Sequence, residues 1–152
     1  MITLSTPAGP FTMTGNGIAV TAARFGDGFR ADDLPAGDVP QVAIDAVKSY
    51  LDGDLSALDA VPVAQQGTPY LEHCWDVLRT LREPITYTEF AALTGKPGAM
   101  RAAAQGCARN GIALIVPCHR VLRADGKLGG YRWGLDVKKW LLRHEEELLL
   151  DR

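Results

Sequence analysis

The residues with the most chemistry to offer are Pro117-Cys118-His119-Arg120-Val121, delivered by the apolar run Ile112-Ala113-Leu114-Ile115-Val116. Such a run is expected to be buried, which would hold the cysteine and histidine at the edge of a core. A free cysteine has a pKa of about 8.5 and little thiolate at neutral pH. A neighbouring base, directly or through a water, generates the nucleophile on demand, and a carboxylate can orient the imidazole and stabilise its charged form. Taken alone, a Cys-His pair fits a buried cysteine beside a structural histidine more readily than a nucleophile. Cys74 and Cys107 read that way, each at helical spacing among apolar or small neighbours. Three cysteines with no C-x-x-C pair argue against a disulfide framework or structural zinc, and for a reduced, cytoplasmic setting.

The elements that must position this centre are mostly helical. Residues 70–81 place Leu71, Cys74, Trp75, Leu78 and Leu81 on one helix face. A turn at Ile85-Thr86-Tyr87-Thr88 leads into a short helix over residues 89–93, Thr94-Gly95-Lys96-Pro97-Gly98 breaks the chain, and a second helix covers residues 99–108. Two short helices across a glycine-containing turn form a helix-turn-helix pattern. In the second, Ala99, Ala102, Ala103, Ala104, Gly106 and Ala108 are small, and Arg101 stands among them. A helix that reads a major groove projects several long polar side chains. A flat helix with one projection suits a narrower groove and one residue inserted into the base stack. The plainer alternative is an alanine-rich helix packed on a neighbour.

Charge is divided along the chain. Residues 1–83 carry 5 Lys/Arg against 11 Asp/Glu, and residues 84–152 carry 11 against 7, within a net charge of −2. Lys96, Arg101, Arg109, Arg120, Arg123, Lys127 and Arg132 face only Glu89 and Asp125 over residues 84–132. This local basic character keeps nucleic acid open as a partner, with a solvated charged face as the alternative.

The first part of the chain reads differently. Phe11-Thr12-Met13-Thr14 and Ile18-Ala19-Val20-Thr21 alternate apolar and polar around Gly15-Asn16-Gly17, a hairpin signal. Residues 25–39 are rich in Gly, Asp and Pro and read as a loop. Val42, Ile44, Val47 and Leu51 suggest an amphipathic helix ending near Asp52-Gly53. Gln65-Gln66-Gly67-Thr68-Pro69 is a candidate linker. With 152 residues, 47% hydrophobic and 22% charged, the composition is that of an ordinary globular protein; it excludes a disordered tail, a collagen-like repeat and a disulfide-rich miniprotein. No apolar run reaches the roughly 18 residues needed to span a bilayer, and the start shows no export signal.

Taken together, these motifs resemble one family. Ile115-Val116-Pro117-Cys118-His119-Arg120-Val121 is similar to the active-site motif of the O6-alkylguanine-DNA alkyltransferases, or methylated-DNA–protein-cysteine methyltransferases. Arg101-Ala102-Ala103 and Ala108-Arg109-Asn110 stand at the expected distances before the cysteine. Gly126-Lys127-Leu128-Gly129-Gly130-Tyr131-Arg132-Trp133-Gly134 resembles the substrate-pocket loop, and Lys138-Lys139-Trp140-Leu141-Leu142-Arg143-His144-Glu145 the closing helix. The match runs from about Pro69 to Glu145; residues 1–66 match only in length and a strand-rich start. The resemblance implies an α+β fold. A small ribonuclease-H-like sheet domain (1–66) would precede a mainly helical winged-helix/helix-turn-helix domain (67–152).

It also implies a reaction. Cys118 would take the alkyl group from O6 of guanine, chiefly as O6-methylguanine, with O4-methylthymine as a further substrate. His119 would act as base through a water, Glu145 would orient His119, and Asn110 would tie the turn to an active-site strand. Tyr131 would hydrogen-bond the guanine, the carbonyl of Val121 would accept from its exocyclic amine, and Arg132 would border the pocket. The target carbon is out of reach in a duplex, so the nucleotide must be flipped out. Arg101 would fill the gap, Tyr87 would push on the 3′ phosphate, and Ala99, Met100, Ala102 and Ala104 would lie along the minor groove of double-stranded DNA. The thioether has no exit, so the protein would act once, as a monomer, without cofactor or metal.

Gly111 stands where many members have proline, Ala104 where glycine is frequent, and Arg132 and Trp133 where some members have small residues; the last two would restrict the pocket toward small alkyl groups. A lesion sensor of similar fold would lack the cysteine. A transcriptional regulator using the helix-turn-helix alone would leave Cys118, His119 and Glu145 without a purpose, and a cysteine hydrolase would need an oxyanion motif.

Overall fold

The computed structural model describes residues 1–26 and 37–150, the side chains of residues 149 and 150 excepted. Alternating threonine and apolar residues build an antiparallel sheet in the order β1 (Ile2–Thr6), β2 (Gly9–Gly15), β3 (Val20–Phe25). The expected hairpin pairs Phe11 with Phe25 and Met13 with Ala23, with a register irregularity at Thr14/Gly15. Its second strand starts at Val20, two residues later than the alternation suggests. Asn16 Oδ1 accepts from the backbone of Ile18 and Ala19 at 3.0 and 2.8 Å, which winds these residues into the turn and leaves Ile18 exposed. β2 is central and buried on both faces, so Thr12 and Thr14 are inside; the Thr12 hydroxyl is bonded to that of Thr3 at 2.9 Å. The loop expected over residues 25–39 falls mostly on residues 27–36, outside the described residues.

Helix α1 (Gln41–Leu51) ends at Asp52-Gly53 as its pattern suggests, with Gly53 at φ +117°. Its buried stripe is not the one expected. Ala43, Ala46, Val47 and Tyr50 face the core, Val42 is exposed, and Ile44 and Leu51 are half-buried. Two alanines bring the helix backbone close enough for Tyr50 to reach deep into the molecule. A 3₁₀ turn at Leu55–Ala60 follows, capped by Asp54.

The remainder is helical. α2 (Pro69–Leu78) starts on Thr68 as cap with proline in its first turn, and ends before Leu81. α3 (Tyr87–Leu93) is set by a capping box between Thr86 and Glu89. The turn to α4 (Met100–Ala108) uses Gly95 and Gly98 at positive φ. α4 packs on α2 through Gly106: a Cβ there would lie 2.7 Å from Cys74 Cβ, and its carbonyl accepts from Trp75 Nε1 at 2.9 Å. β4 (Ile85–Thr86) pairs in parallel with β5 (Val121–Leu122), and α5 (Leu135–Leu150) closes the molecule.

The expected active-site strand is absent. Residues 112–116 are fully buried but turn, with Leu114 at φ +68°, and make one bridge, Ile112 to Ala23. Through this bridge the edge of the N-terminal sheet holds the segment before Cys118. Gln65, in the candidate linker, is fixed as well: its Oε1 accepts from Gly111 N, and its Nε2 donates to Asn110 Oδ1 at 3.2 Å.

Candidate active site

Asn110 organises the turn that presents Cys118. It has no exposed surface. Its Nδ2 donates to the carbonyl of Val116 at 2.8 Å and reaches Cys118 Sγ at 3.4 Å, while its Oδ1 accepts from Ile112 N at 3.0 Å. One amide thus fixes both ends of the buried segment and touches the thiol. Residues Cys118–Arg120 form a 3₁₀ turn, so consecutive side chains point in different directions. Cys118 borders a cavity, while His119 and Arg120 turn toward α5.

Glu145, on α5, receives both. Its Oε2 lies 2.7 Å from His119 Nε2, and its Oε1 accepts from Arg120 Nε at 2.7 Å. A carboxylate only accepts, so Nε2 carries a proton, and in a neutral ring Nδ1 is the atom left with a lone pair. Among the described residues, Nδ1 of His119 has no hydrogen-bond partner. Arg120 Nη1 also donates to the carbonyl of Leu81 at 2.6 Å, and Tyr50 Oη to Glu145 Oε2 at 2.6 Å. Burial opposes ionisation of Glu145, but the charges and hydrogen bonds of His119 and Arg120 outweigh it and hold the carboxyl well below its usual range.

The cavity beside Cys118, about 430 Å³, is lined by Tyr87, Ala104, Cys107, Tyr131 and Arg132 among others. Burial pushes the Cys118 thiol up, countered by the Asn110 hydrogen bond and the positive charges of Lys138 and Arg132. Burial likewise raises Cys107, Tyr131 and Tyr87, the last to about 12. All four are therefore protonated at neutral pH and can donate. Tyr131 Oη is buried and has no partner among the described residues. Arg132 donates to the carbonyl of Asn110 at 3.2 Å and lies 5.8 Å over the Trp133 ring, which meets Tyr131 edge-on at 5.2 Å. The carbonyl of Val121 accepts from buried Lys138 Nζ at 2.9 Å, leaving one lone pair for another donor.

The helix-turn-helix residues lie on the adjoining surface. Tyr87 and Ala104 border both the cavity and a shallower cleft shared with Met100, Arg101 and Arg123. Arg101 and Met100 are exposed; Ala99, Ala102 and Ala104 are half-buried. Arg120, one of the basic residues of that segment, is almost fully buried on Glu145 and so adds little to the exposed basic surface. Sequence reasoning also missed Tyr50, Lys138 and Gln65 as neighbours of the site. Arg120 stood next to His119 in the motif, whereas nothing local to Tyr50 signals contact with a helix at the other end of the chain.

This architecture is a small antiparallel sheet joined to a helix-turn-helix domain that holds a buried thiol at a cavity and a buried imidazole–carboxylate pair. The family described as 6-O-methylguanine DNA methyltransferase, DNA binding domain, matches residues 69–147. A methylated-DNA–protein-cysteine methyltransferase of Methanosarcina barkeri is 36% identical over 96% of both chains. One from Shigella flexneri is 42% identical over 70% of this chain, which spans 63% of that relative's length. The structure of Mycobacterium tuberculosis OGT in complex with DNA superposes with a TM-score of 0.81 at 33% identity, covering 96% of this chain and 92% of that one. The chain belongs to the methylated-DNA–protein-cysteine methyltransferase family.

Proposed function

We propose that this protein repairs alkylated DNA by moving the alkyl group from O6 of guanine onto its own Cys118, once per molecule. The observation that carries the reading is Cys118 lining a cavity that adjoins the exposed face of α4, with the next residue, His119, hydrogen-bonded to buried Glu145. The thiol proton passes through a water to His119 Nδ1, and Glu145 stabilises the imidazolium. Sγ then attacks the alkyl carbon, the S–C bond forms as the C–O6 bond breaks, and the electron pair leaves with the guanine oxygen. Tyr131 Oη, a donor with no partner among the described residues, neutralises the developing charge. Asn110 holds Sγ in place, and the Val121 carbonyl accepts from the guanine amine.

The lesion reaches the cavity only if its nucleotide leaves the stack, at a cost of a few kcal/mol. Arg101, exposed on α4, fills the gap; Ala99, Met100, Ala102 and Ala104 allow close approach in the minor groove; Tyr87 presses on the phosphate beside the cavity mouth. In this reading residues 1–66 form the supporting sheet domain, residues 67–152 carry DNA binding and chemistry, and the protein works as a cytoplasmic monomer. Among the described residues no helix is long and apolar enough to cross a membrane. Incubation with excess duplex DNA carrying O6-methylguanine tests the proposal: transfer stops at one methyl group per protein. Continued turnover, or binding without transfer, would overturn it, the latter in favour of a lesion sensor.

A further inference from the structure

Glu145 does not serve His119 alone. Its Oε2 accepts two hydrogen bonds, from His119 Nε2 at 2.7 Å and from Tyr50 Oη at 2.6 Å, while Oε1 is taken by Arg120 Nε. Tyr50 comes from α1 and lies 95 positions before Glu145 in the chain. Tyr50 and His119 have no exposed surface, and Glu145 keeps 4%. Tyr50 is held at its other end too: its carbonyl accepts from His144 Nε2 at 3.0 Å, and its ring meets the His144 ring edge-on at 5.2 Å. His144 is in turn stacked on Trp140 at 4.7 Å. Two consecutive residues of α5 therefore grip one tyrosine of the N-terminal half.

Two donors on one oxygen compete for its charge. A hydrogen bond to an ionised group is stronger than a neutral one, and in a buried network each bond polarises the next. A hydroxyl bonded to Oε2 draws density away from the side of the carboxylate that faces the imidazole. We propose that Tyr50 is a positioning residue for the transfer reaction: by donating to Glu145 Oε2 it restrains the carboxylate's pull on the His119 proton. The imidazole then stays neutral and free to accept through Nδ1. This rests on the alkyl-transfer reading above. Among the described residues, other ionisable groups near this carboxylate are Arg120 from the same turn as His119, Tyr131 from the loop before α5, His144 and Glu146 from α5, and Arg82 and Glu83, which line a cleft with Glu145. All of them remain when only the Tyr50 hydroxyl is removed.

The test is the full-length Tyr50→Phe variant, with the rate of methyl transfer from O6-methylguanine in duplex DNA followed against pH and the ¹⁵N titration of the His119 ring followed in parallel. Without the hydroxyl, the acid limb of the rate profile moves up by about one pH unit. That is about tenfold in rate on the limb, with less than about threefold change on the alkaline plateau, and the protonated His119 ring persists to correspondingly higher pH. A uniform loss at all pH with an unmoved limb would mean mere structural support and overturn the proposal, as would no change. Replacement of Tyr50 by 3-fluorotyrosine keeps the packing and strengthens the donor, so it guards against a phenylalanine variant that does not fold. Its limb moves to lower pH, and an upward or absent shift contradicts the proposal. If the wild-type protein transfers no methyl group, the alkyl-transfer reading fails, and the imidazole titration still decides what Tyr50 does.

Discussion

Replacing Arg120 by methionine removes a guanidinium while keeping most of the apolar stem. It strips Glu145 Oε1 of the donor at 2.7 Å and the Leu81 carbonyl of the donor at 2.6 Å, in a site where both side chains are almost fully buried. Breaking a buried ion pair from one side costs about 3–5 kcal/mol. His119 and Tyr50 still satisfy Oε2, so the lower part of that range, about 3–4 kcal/mol, is expected. With a denaturant slope of about 1–3 kcal/mol per molar urea, the unfolding midpoint at pH 7 falls by about 1–4 M. The pH dependence gives the argument a sign. The Glu145 carboxyl is held below its usual range, so its stabilisation is complete above the unfolded pKa of about 4.3 and declines as pH falls toward the folded value, by about 1.4 kcal/mol per unit. Loss of Arg120 lets the folded pKa rise; the unfolded state is common to both proteins, so the gap between wild type and variant narrows once the pH falls below the variant's folded pKa. Urea titrations in steps from pH 7 down to about pH 2 measure this. A destabilisation under about 1 kcal/mol, or one that does not shrink anywhere in that range, refutes the view that Glu145 is held ionised by Arg120.

Further outcomes follow from the same geometry. Asn110→Ala removes the donor to the Val116 carbonyl and the acceptor for Ile112 N, each worth about 1–3 kcal/mol when orphaned; thermal melting should show a loss of about 3 kcal/mol, and transfer should fall further than stability explains. Cys118 is protonated at pH 7 because burial raises its thiol; labelling by iodoacetamide should be slow there and rise with each pH unit, and a rate flat between pH 6 and pH 9 would contradict this. Arg132 lines the cavity beside Tyr131, and Trp133 meets the Tyr131 ring edge-on; methyl adducts should transfer faster than benzyl adducts and Arg132→Gly should narrow the difference, so a faster benzyl reaction in the wild type would remove the case for restriction.

The parts of this molecule that were legible in the sequence are those governed by local rules. The helical spacing of residues 70–81 and the glycines that break the chain at the helix-turn-helix turn are short-range signals, and α2, α3 and α4 each fall within a few residues of their expected places. Residues 112–116 read as a buried run, and the family resemblance implied a strand there; an apolar run has no period to betray a turn, and only the structure shows Leu114 at positive φ and a single bridge to β3. On α1 the larger apolar residues Val42 and Ile44 suggest the buried stripe, yet the helix packs through Ala43 and Ala46 because small residues allow close approach. The motif around Cys118 named the chemistry, but the supports at Tyr50, Gln65 and Lys138 are side chains brought in from distant elements, and no spacing rule announces them.

The central claim is that Cys118 is the alkyl acceptor. Incubation with duplex DNA containing O6-methylguanine, followed by proteolysis and peptide mass analysis, tests it most directly. The account predicts that the peptide holding Cys118 gains one methylene, that those holding Cys74 and Cys107 do not, and that Cys118→Ala gains nothing. A methyl group on another residue, or none on a protein that still binds the lesion, would contradict it.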